Sequence, residues 1–166
     1  MTNKYKYFVA NWKMFGDIKT LNSLNKVAKL SKSIKFVKSK IIYCPPYTLL
    51  SSFVQNFKKT KIEVGAQNCH HHYDFGAYTG QVNSRMLKSV GANYVIIGHS
   101  ENRQLGESDK LINLKIKSAI RSGLKIIFCI GETLSEKRNK KTNKVLDKQI
   151  KNRLSSIKKK SNIIIA

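Results

Sequence analysis

Six short apolar runs, the first five each followed by an amphipathic or loop-rich stretch, limit what this chain can fold into. They begin near residues 5, 40, 62, 94, 125 and 163, at successive offsets of 35, 22, 32, 31 and 38 residues. That spacing fits a strand, a helix and two turns, and repeated alternation of this kind implies parallel strands covered by helices. The strands read as Tyr5 to Ala10, Lys40 to Cys44, Ile62 to Asn68, Tyr94 to Ile97, Lys125 to Ile130, and Ser161 to Ala166, where the sequence given stops. Pro45 and Pro46 end the second. No repeat or linker divides the chain, so residues 1–166 read as a single domain.

Helical spacing predicts the covering layer. Asp17 is a candidate N-cap for a helix to about Ser33, with Ile18, Leu21, Leu24, Val27 and Ala28 on one face. A second runs from about Tyr47 to Lys58 through Leu49, Leu50, Phe53, Val54 and Phe57. After a long loop, Cys69 to Val82, a short helix carries Met86, Leu87 and Val90. Another spans about Asp109 to Ser122, with Leu111, Ile112, Leu114, Ile116, Ala119 and Ile120 as its apolar positions. A long basic helix is predicted from about Asn139 to Lys158. The pattern leaves two architectures open, a doubly wound sheet and a (β/α)8 barrel. No glycine-rich dinucleotide or P-loop motif occurs, which weakens the nucleotide-binding versions.

In either fold, ligands and catalytic groups gather at the carboxyl ends of the strands. The first strand ends in Asn11 and Lys13, the third in Gln67 and Asn68, the fourth in His99, Ser100 and Glu101, and the fifth in Cys129, Gly131 and Glu132. Gly98 permits the tight turn before His99. A helix beginning there would disfavour imidazolium and leave a neutral ring able to donate a hydrogen bond. A cation, an amide and an imidazole on one rim can hold an anionic substrate and polarise a carbonyl oxygen. The bland reading is that Lys13 pairs with Glu101 and the other polar groups only cap strand ends. Such a pair would position the ammonium without excluding a role for it.

Charge brings in a second class of function. Thirty-two Lys and Arg against nine Asp and Glu give a formal net charge of +23. Arginine, the better base and phosphate reader, occurs only at 85, 103, 121, 138 and 153, and the lysines are spread through every helical segment. No specific nucleic-acid partner is expected, although nonspecific polyanion binding is. The densest basic tract runs from Lys137 to Lys160. No run approaches a membrane span, and the N-terminus does not read as a secretion signal. Cys44, Cys69 and Cys129 are odd in number and widely spaced, which fits a reduced cytoplasmic setting. Cys69, His70, His71, His72 and Asp74 include metal-ligand types, but adjacent histidines on extended backbone cannot all face one ion, so no functional metal is expected.

Five motifs, in order and each at a predicted strand end or in the long loop, resemble those of the triosephosphate isomerase family. They are Asn11-Trp12-Lys13-Met14, Ala66-Gln67-Asn68, Gly76 to Gly80, Gly98-His99-Ser100-Glu101 with Arg103, and Cys129-Ile130-Gly131-Glu132. The similarity runs from Phe8 to Ala166 and implies a (β/α)8 barrel, here cut after about five βα units and the start of the sixth strand. It also implies interconversion of glycerone phosphate and glyceraldehyde 3-phosphate through an enediol(ate), without a cofactor. By the same resemblance Lys13 is the cation that attracts the substrate and steadies oxyanion charge. Asn11 binds and orients substrate, and His99 donates to the carbonyl oxygen and shuttles a proton. Glu101 supports Lys13, with Ser100 beside it at the start of the loop, and Thr79 reaches into the neighbouring subunit's site in a homodimer. Gln67 and Asn68 are expected to be scaffold, and Cys129 and Glu132 structural.

Two positions depart from the family. Gln81 stands where an acidic residue is usual and Asn102 where an arginine is, so the ion pair expected across a dimer interface would be absent on both sides. Dimerisation should then depend less on salt than in relatives that carry the pair. The family's catalytic glutamate follows the sixth strand, just past Ala166, and its lid and phosphate loops lie further on. The 166-residue chain alone is therefore expected to be an inactive piece of an isomerase. The alternative is a noncatalytic basic module with affinity for polyanions.

Overall fold

In a computed structural model, which describes residues 5–33, 37–154, 157 and 162–166, the six strands form one parallel sheet. They are β1 (Lys6–Asn11), β2 (Ser39–Cys44), β3 (Ile62–Ala66), β4 (Tyr94–Ile97), β5 (Lys125–Phe128) and β6 (Ile163–Ile165). Their order in the sheet is their order in the chain. A doubly wound sheet reverses direction at a switch point, whereas a barrel wall does not, so the order decides between the two architectures. The chain forms part of a (β/α)8 barrel, with β1 and β6 as its two outer strands.

Alternation along each strand explains the near-continuous apolar runs. Ile42, Cys44, Tyr94, Ile96 and Ile127 form one cluster with Tyr7 and Ile164 against it, on the inner face of the curved sheet. Their neighbours Val64, Ala66, Val95, Ile97, Ile126 and Phe128 pack outward against the helices. Gly65 is required by this crowding, because a Cβ there would lie 2.8 Å from Cys44 Sγ and 3.0 Å from Tyr94 Cβ.

Helix α2 (Tyr47–Phe57) buries Leu49, Leu50, Phe53 and Phe57 as its spacing predicts. The helix after β1 departs from expectation. Asp17 does cap it, in a box with Thr20, but Ile18–Leu24 is 3-10 and only Asn25–Ser31 (α1) is α-helical. The weak helix formers Thr20, Asn22 and Ser23 favour the tighter turn, which leaves Ile18 exposed and Leu24 buried. In α3 (Ser84–Ser89) Leu87 is buried, while Met86 and Val90 face outward. Helix α4 (Ser100–Gln104) follows β4 directly, and α5 (Asp109–Arg121) buries Ile112, Ile116 and Ala119 but exposes Leu114.

The long basic helix starts later than predicted, at Thr142, and a short helix that was not predicted precedes it. A capping box of Thr133 with Glu136 starts α6 (Leu134–Arg138), Lys140 turns to φ +56°, and α7 runs over Thr142–Leu154. The rest of the predicted span, Ser155, Ser156 and Lys158, lies outside the described residues, as does Ser161 of the sixth strand. Among the described residues no helix is long and apolar enough to cross a membrane.

Candidate active site

The carboxyl ends of β1 and β4 meet through one carboxylate. Lys13 Nζ lies 2.7 Å from Glu101 Oε1, and Glu101 Oε2 lies 3.5 Å from His99 Nδ1. The ammonium and the imidazole therefore flank the same side chain. The Lys13 hydrogen bond is the main reason the Glu101 carboxyl titrates below its ordinary range, even though the group is open to solvent. Ion pairing of this exposed kind is worth little to stability, so its effect is to place the Lys13 ammonium next to the imidazole.

His99 is the N-cap of α4, and its Nδ1 accepts the backbone N–H of Glu101 at 3.3 Å. A ring nitrogen that accepts an N–H must carry a lone pair, so the ring's proton sits on Nε2. That nitrogen is the one free to donate. Gly98 makes the turn possible at φ +75°, and a Cβ there would lie 2.7 Å from Arg103 Nη2. Arg103 explains the crowding. Its Nε donates to Gly98 O at 2.6 Å and its Nη2 to Cys129 O at 2.7 Å, tying the ends of β4 and β5 together. Burial pulls the guanidinium below its ordinary pKa.

Lys13 is held differently. Its backbone is left-handed, at φ +52°, a conformation that costs an L residue roughly 1–2 kcal/mol. Asn11 Oδ1 accepts the Lys13 N–H at 2.9 Å, and Gln67 Nε2 donates to Lys13 O at 2.7 Å and to Cys44 O at 2.9 Å. Local strain of this sort persists where surrounding contacts over-determine it, and functional sites collect it. Gln67 thus acts as scaffold, as expected from sequence. Asn11 has a structural duty to Lys13 in addition to the substrate role inferred from its motif.

Asn68 is scaffold of another kind. Its Oδ1 accepts from Lys115 Nζ at 2.9 Å, and Lys115 also pairs with Glu107, both side chains being buried behind the loop that follows β4. Glu107 Oε2 has no hydrogen-bond partner among the described residues. This network was not read from the sequence. Its signal was a lysine at an apolar position of the α5 stripe, between Ile112 and Ile116.

The remaining motif residues fall into place at the fifth strand. Gln149 of α7 donates to Gly131 O at 2.8 Å and accepts from Gly131 N at 2.9 Å, and Glu132 accepts from Thr142 Oγ1 at 3.1 Å. Cys129 is half-buried, and burial raises its thiol pKa. Burial pushes Cys44 and Cys69 up to about 12, which leaves both as protonated packing groups. Ser100 opens α4 at the rim and is exposed. Thr79 stands exposed in the long loop, in a turn closed by Gln81 N donating to Tyr78 O at 3.0 Å. The His70 and His72 rings stack and His71 lies tilted against both, with His72 Nε2 2.9 Å from Tyr78 Oη. Among the described residues no group of three or more His, Cys, Asp or Glu is arranged to hold a metal ion.

Comparison with known proteins matches this arrangement to one family. A family profile for triosephosphate isomerase matches residues 6–166. The triosephosphate isomerase of Wolbachia pipientis wMel is 42 % identical over 146 residues, covering 88 % of this chain and 57 % of the relative. That of Chlorobium luteolum is 39 % identical over 164 residues, covering 97 % of this chain and 64 % of the relative. The crystal structure of triosephosphate isomerase from Bartonella henselae superposes with a TM-score of 0.86 at 39 % identity, over 96 % of this chain and 65 % of that one. The chain thus spans about 60 % of the length of the curated relatives it matches. With sequential parallel strands and the Lys13, His99 and Glu101 cluster at their carboxyl ends, the chain belongs to the triosephosphate isomerase family.

Proposed function

We propose that these residues supply the substrate-polarising half of an aldose–ketose isomerase that interconverts glycerone phosphate and glyceraldehyde 3-phosphate in glycolysis and gluconeogenesis. The observation that carries the proposal is the shared carboxylate. Glu101 holds Lys13 Nζ at 2.7 Å and contacts His99 at 3.5 Å, which sets a cation beside an Nε2–H donor. In this reading Lys13 draws in the anionic substrate and steadies the oxyanion. His99 Nε2–H polarises the carbonyl and then passes its proton between the two substrate oxygens. Asn11 orients the substrate from the end of β1. No cofactor takes part.

Isomerisation also needs a base to take the carbon-bound proton. Glu101 is engaged by Lys13, and Glu107 is buried against Lys115. In this proposal the base and the phosphate-gripping loops belong to the remaining part of the fold, and a polypeptide of these 166 residues alone does not turn over. A coupled assay with glyceraldehyde 3-phosphate and glycerol-3-phosphate dehydrogenase tests this. The purified 166-residue polypeptide should show no turnover. Supplying the C-terminal part of the Bartonella henselae relative should restore turnover, which His99→Gln then lowers about 10² to 10⁴-fold. Turnover by the 166 residues alone, abolished by His99→Gln, would overturn the inactivity.

The completed protein would be a cytoplasmic homodimer whose long loop carries Thr79 into the partner's site. Gln81 and Asn102 offer no ion pair at that interface, so its dissociation constant, measured by sedimentation, should depend less on salt than in relatives that carry the pair. An equally steep dependence would contradict that assembly.

A further inference from the structure

Charge in this molecule is sorted along the barrel axis. Of nine acidic residues, seven lie in the βα connections at the site end, from Asp17 to Glu136, and Asp147 is in the middle of α7. Only Glu63 stands at the opposite rim. The lysines there are numerous: Lys6, Lys38, Lys40, Lys58, Lys61 and Lys125 all lie at strand starts or in the turns leading into them. A uniform excess of lysine would raise the charge everywhere. It would not leave one rim with a single carboxylate.

Between the starts of β2 and β3 this rim is concave. Lys6 N donates to Lys38 O at 2.9 Å, and Lys125 N to Asn93 O at 2.9 Å, which stitches neighbouring strand starts together. A cavity of about 660 Å³ opens on it, lined by Tyr5, Lys40, Lys58, Lys61, Glu63 and Asn93 among others. Its single carboxylate is already occupied. Glu63 Oε2 accepts from Asn93 Nδ2 at 2.8 Å, and Oε1 is 3.8 Å from Lys40 Nζ. Lys40 also lies over the Tyr5 ring at 5.2 Å and Lys125 over Tyr94 at 5.3 Å. Lys58 and Lys61 remain exposed at the mouth.

We propose that this amino-terminal rim binds the sugar–phosphate backbone of single-stranded nucleic acid, without regard to sequence, on the face opposite the isomerase site. Lysines present point charges without the planar fork that reads base edges, so they contact phosphates and leave sequence unread. A basic groove with an aromatic ring beside it is the arrangement that follows an unpaired strand. A lipid surface fits less well. Membrane-lying faces project a broad apolar surface, whereas here only Val37 and Val90 are exposed apolar groups of the cavity wall, standing among Lys40, Lys58 and Lys61 with Phe57 and Ile62 buried beneath.

The test is fluorescence anisotropy of a labelled oligothymidylate titrated with the purified protein between about 50 and 200 mM salt. Lys58→Gln with Lys61→Gln is compared with Lys144→Gln and Lys148→Gln, exposed on α7 and identical in charge change. The rim pair should weaken binding roughly five- to tenfold and flatten the salt slope by about 1.4, while the α7 pair leaves both within about twofold. In the opposite direction, Glu63→Gln should tighten binding more than Asp147→Asn. Both comparisons are read only for variants whose circular dichroism melts match the parent's. Equal losses from the two lysine pairs would overturn the proposal, since net charge alone would then explain binding. Binding to phosphatidylserine vesicles but not to the oligonucleotide would overturn it too.

Discussion

β4 and β1 bring the two halves of the site together but are secured by different physics. All four residues of β4 are buried between β3 and β5. The turn beyond it is braced by Arg103 and backed by the Lys115–Glu107 pair. Lys13, beyond β1, is held instead by hydrogen bonds with Asn11, which accepts its N–H, and with Gln67, which donates to its carbonyl. His99 is thus positioned by packing and Lys13 by polar tethers. Insults of similar chemical size should therefore cost much more behind β4 than at β1.

The largest effect is expected at the buried pair. Lys115→Met keeps the stem but leaves Glu107 buried without its cation, a change that typically destabilises by about 3–5 kcal/mol. Urea unfolding of the assembled protein should show that loss, and Glu107→Gln in the Lys115→Met background should recover much of it. A cost below about 1 kcal/mol would mean that water reaches Glu107 and that the backing of β4 is softer than its burial implies.

Next comes Gly98→Ala. The position needs φ +75°, and the new Cβ would press on Arg103 Nη2 at 2.7 Å and Cys129 O at 3.1 Å. Strain and collision together should cost roughly 2 kcal/mol or more. The loss should be accompanied by displacement of His99, visible as a change in its imidazole chemical shifts. If Arg103→Met in the same chain relieves most of the cost, the collision dominates; if it does not, the left-handed backbone does.

These contrasts also show which parts of the molecule were legible in the sequence. β4 was readable because Tyr94 to Ile97 is apolar on both faces and bounded by Gly98, and the predicted span is the observed one. Pairing of Lys13 with Glu101 followed once both were placed at strand ends. What escaped was set by tertiary contacts between residues far apart in sequence. The Arg103 bridge spans 26 residues and the Lys115–Asn68 bond spans 47, and no local periodicity announces either. The unpredicted helix α6 was different. The Thr133 and Glu136 capping box was present in the sequence, and the lysine-rich stretch after it obscured it.

On the β1 side the predicted costs are smaller. Gln67→Leu removes two donors, to Lys13 O and Cys44 O, and should cost about 1–2 kcal/mol. Its more diagnostic effect is local. Hydrogen exchange at Trp12, whose N–H bonds Cys44 O at 3.0 Å, should quicken while exchange in β4 stays unchanged. Equal acceleration in both strands would show that the two halves unfold as one unit and that the contrast between them is only apparent in the static arrangement.

Lys13→Ala should leave stability nearly unchanged, because the ion pair it removes is about half exposed on both sides. The titration of Glu101 is where the change should appear. Its carboxyl is held below the ordinary range chiefly by the Lys13 hydrogen bond, so the alanine variant should titrate at higher pH. A depressed folded-state pKa stabilises above the unfolded carboxylate's pKa and loses that contribution as pH falls through the folded value. The parent's slight advantage over Lys13→Ala, present near neutrality, should accordingly shrink on acidification, and the two should converge below the folded-state pKa of Glu101. An unchanged Glu101 titration in the variant would mean that His99 and the backbone, and not Lys13, hold the carboxylate in place. The tether between β1 and β4 would then act in the opposite sense, with Glu101 fixed first and Lys13 recruited to it.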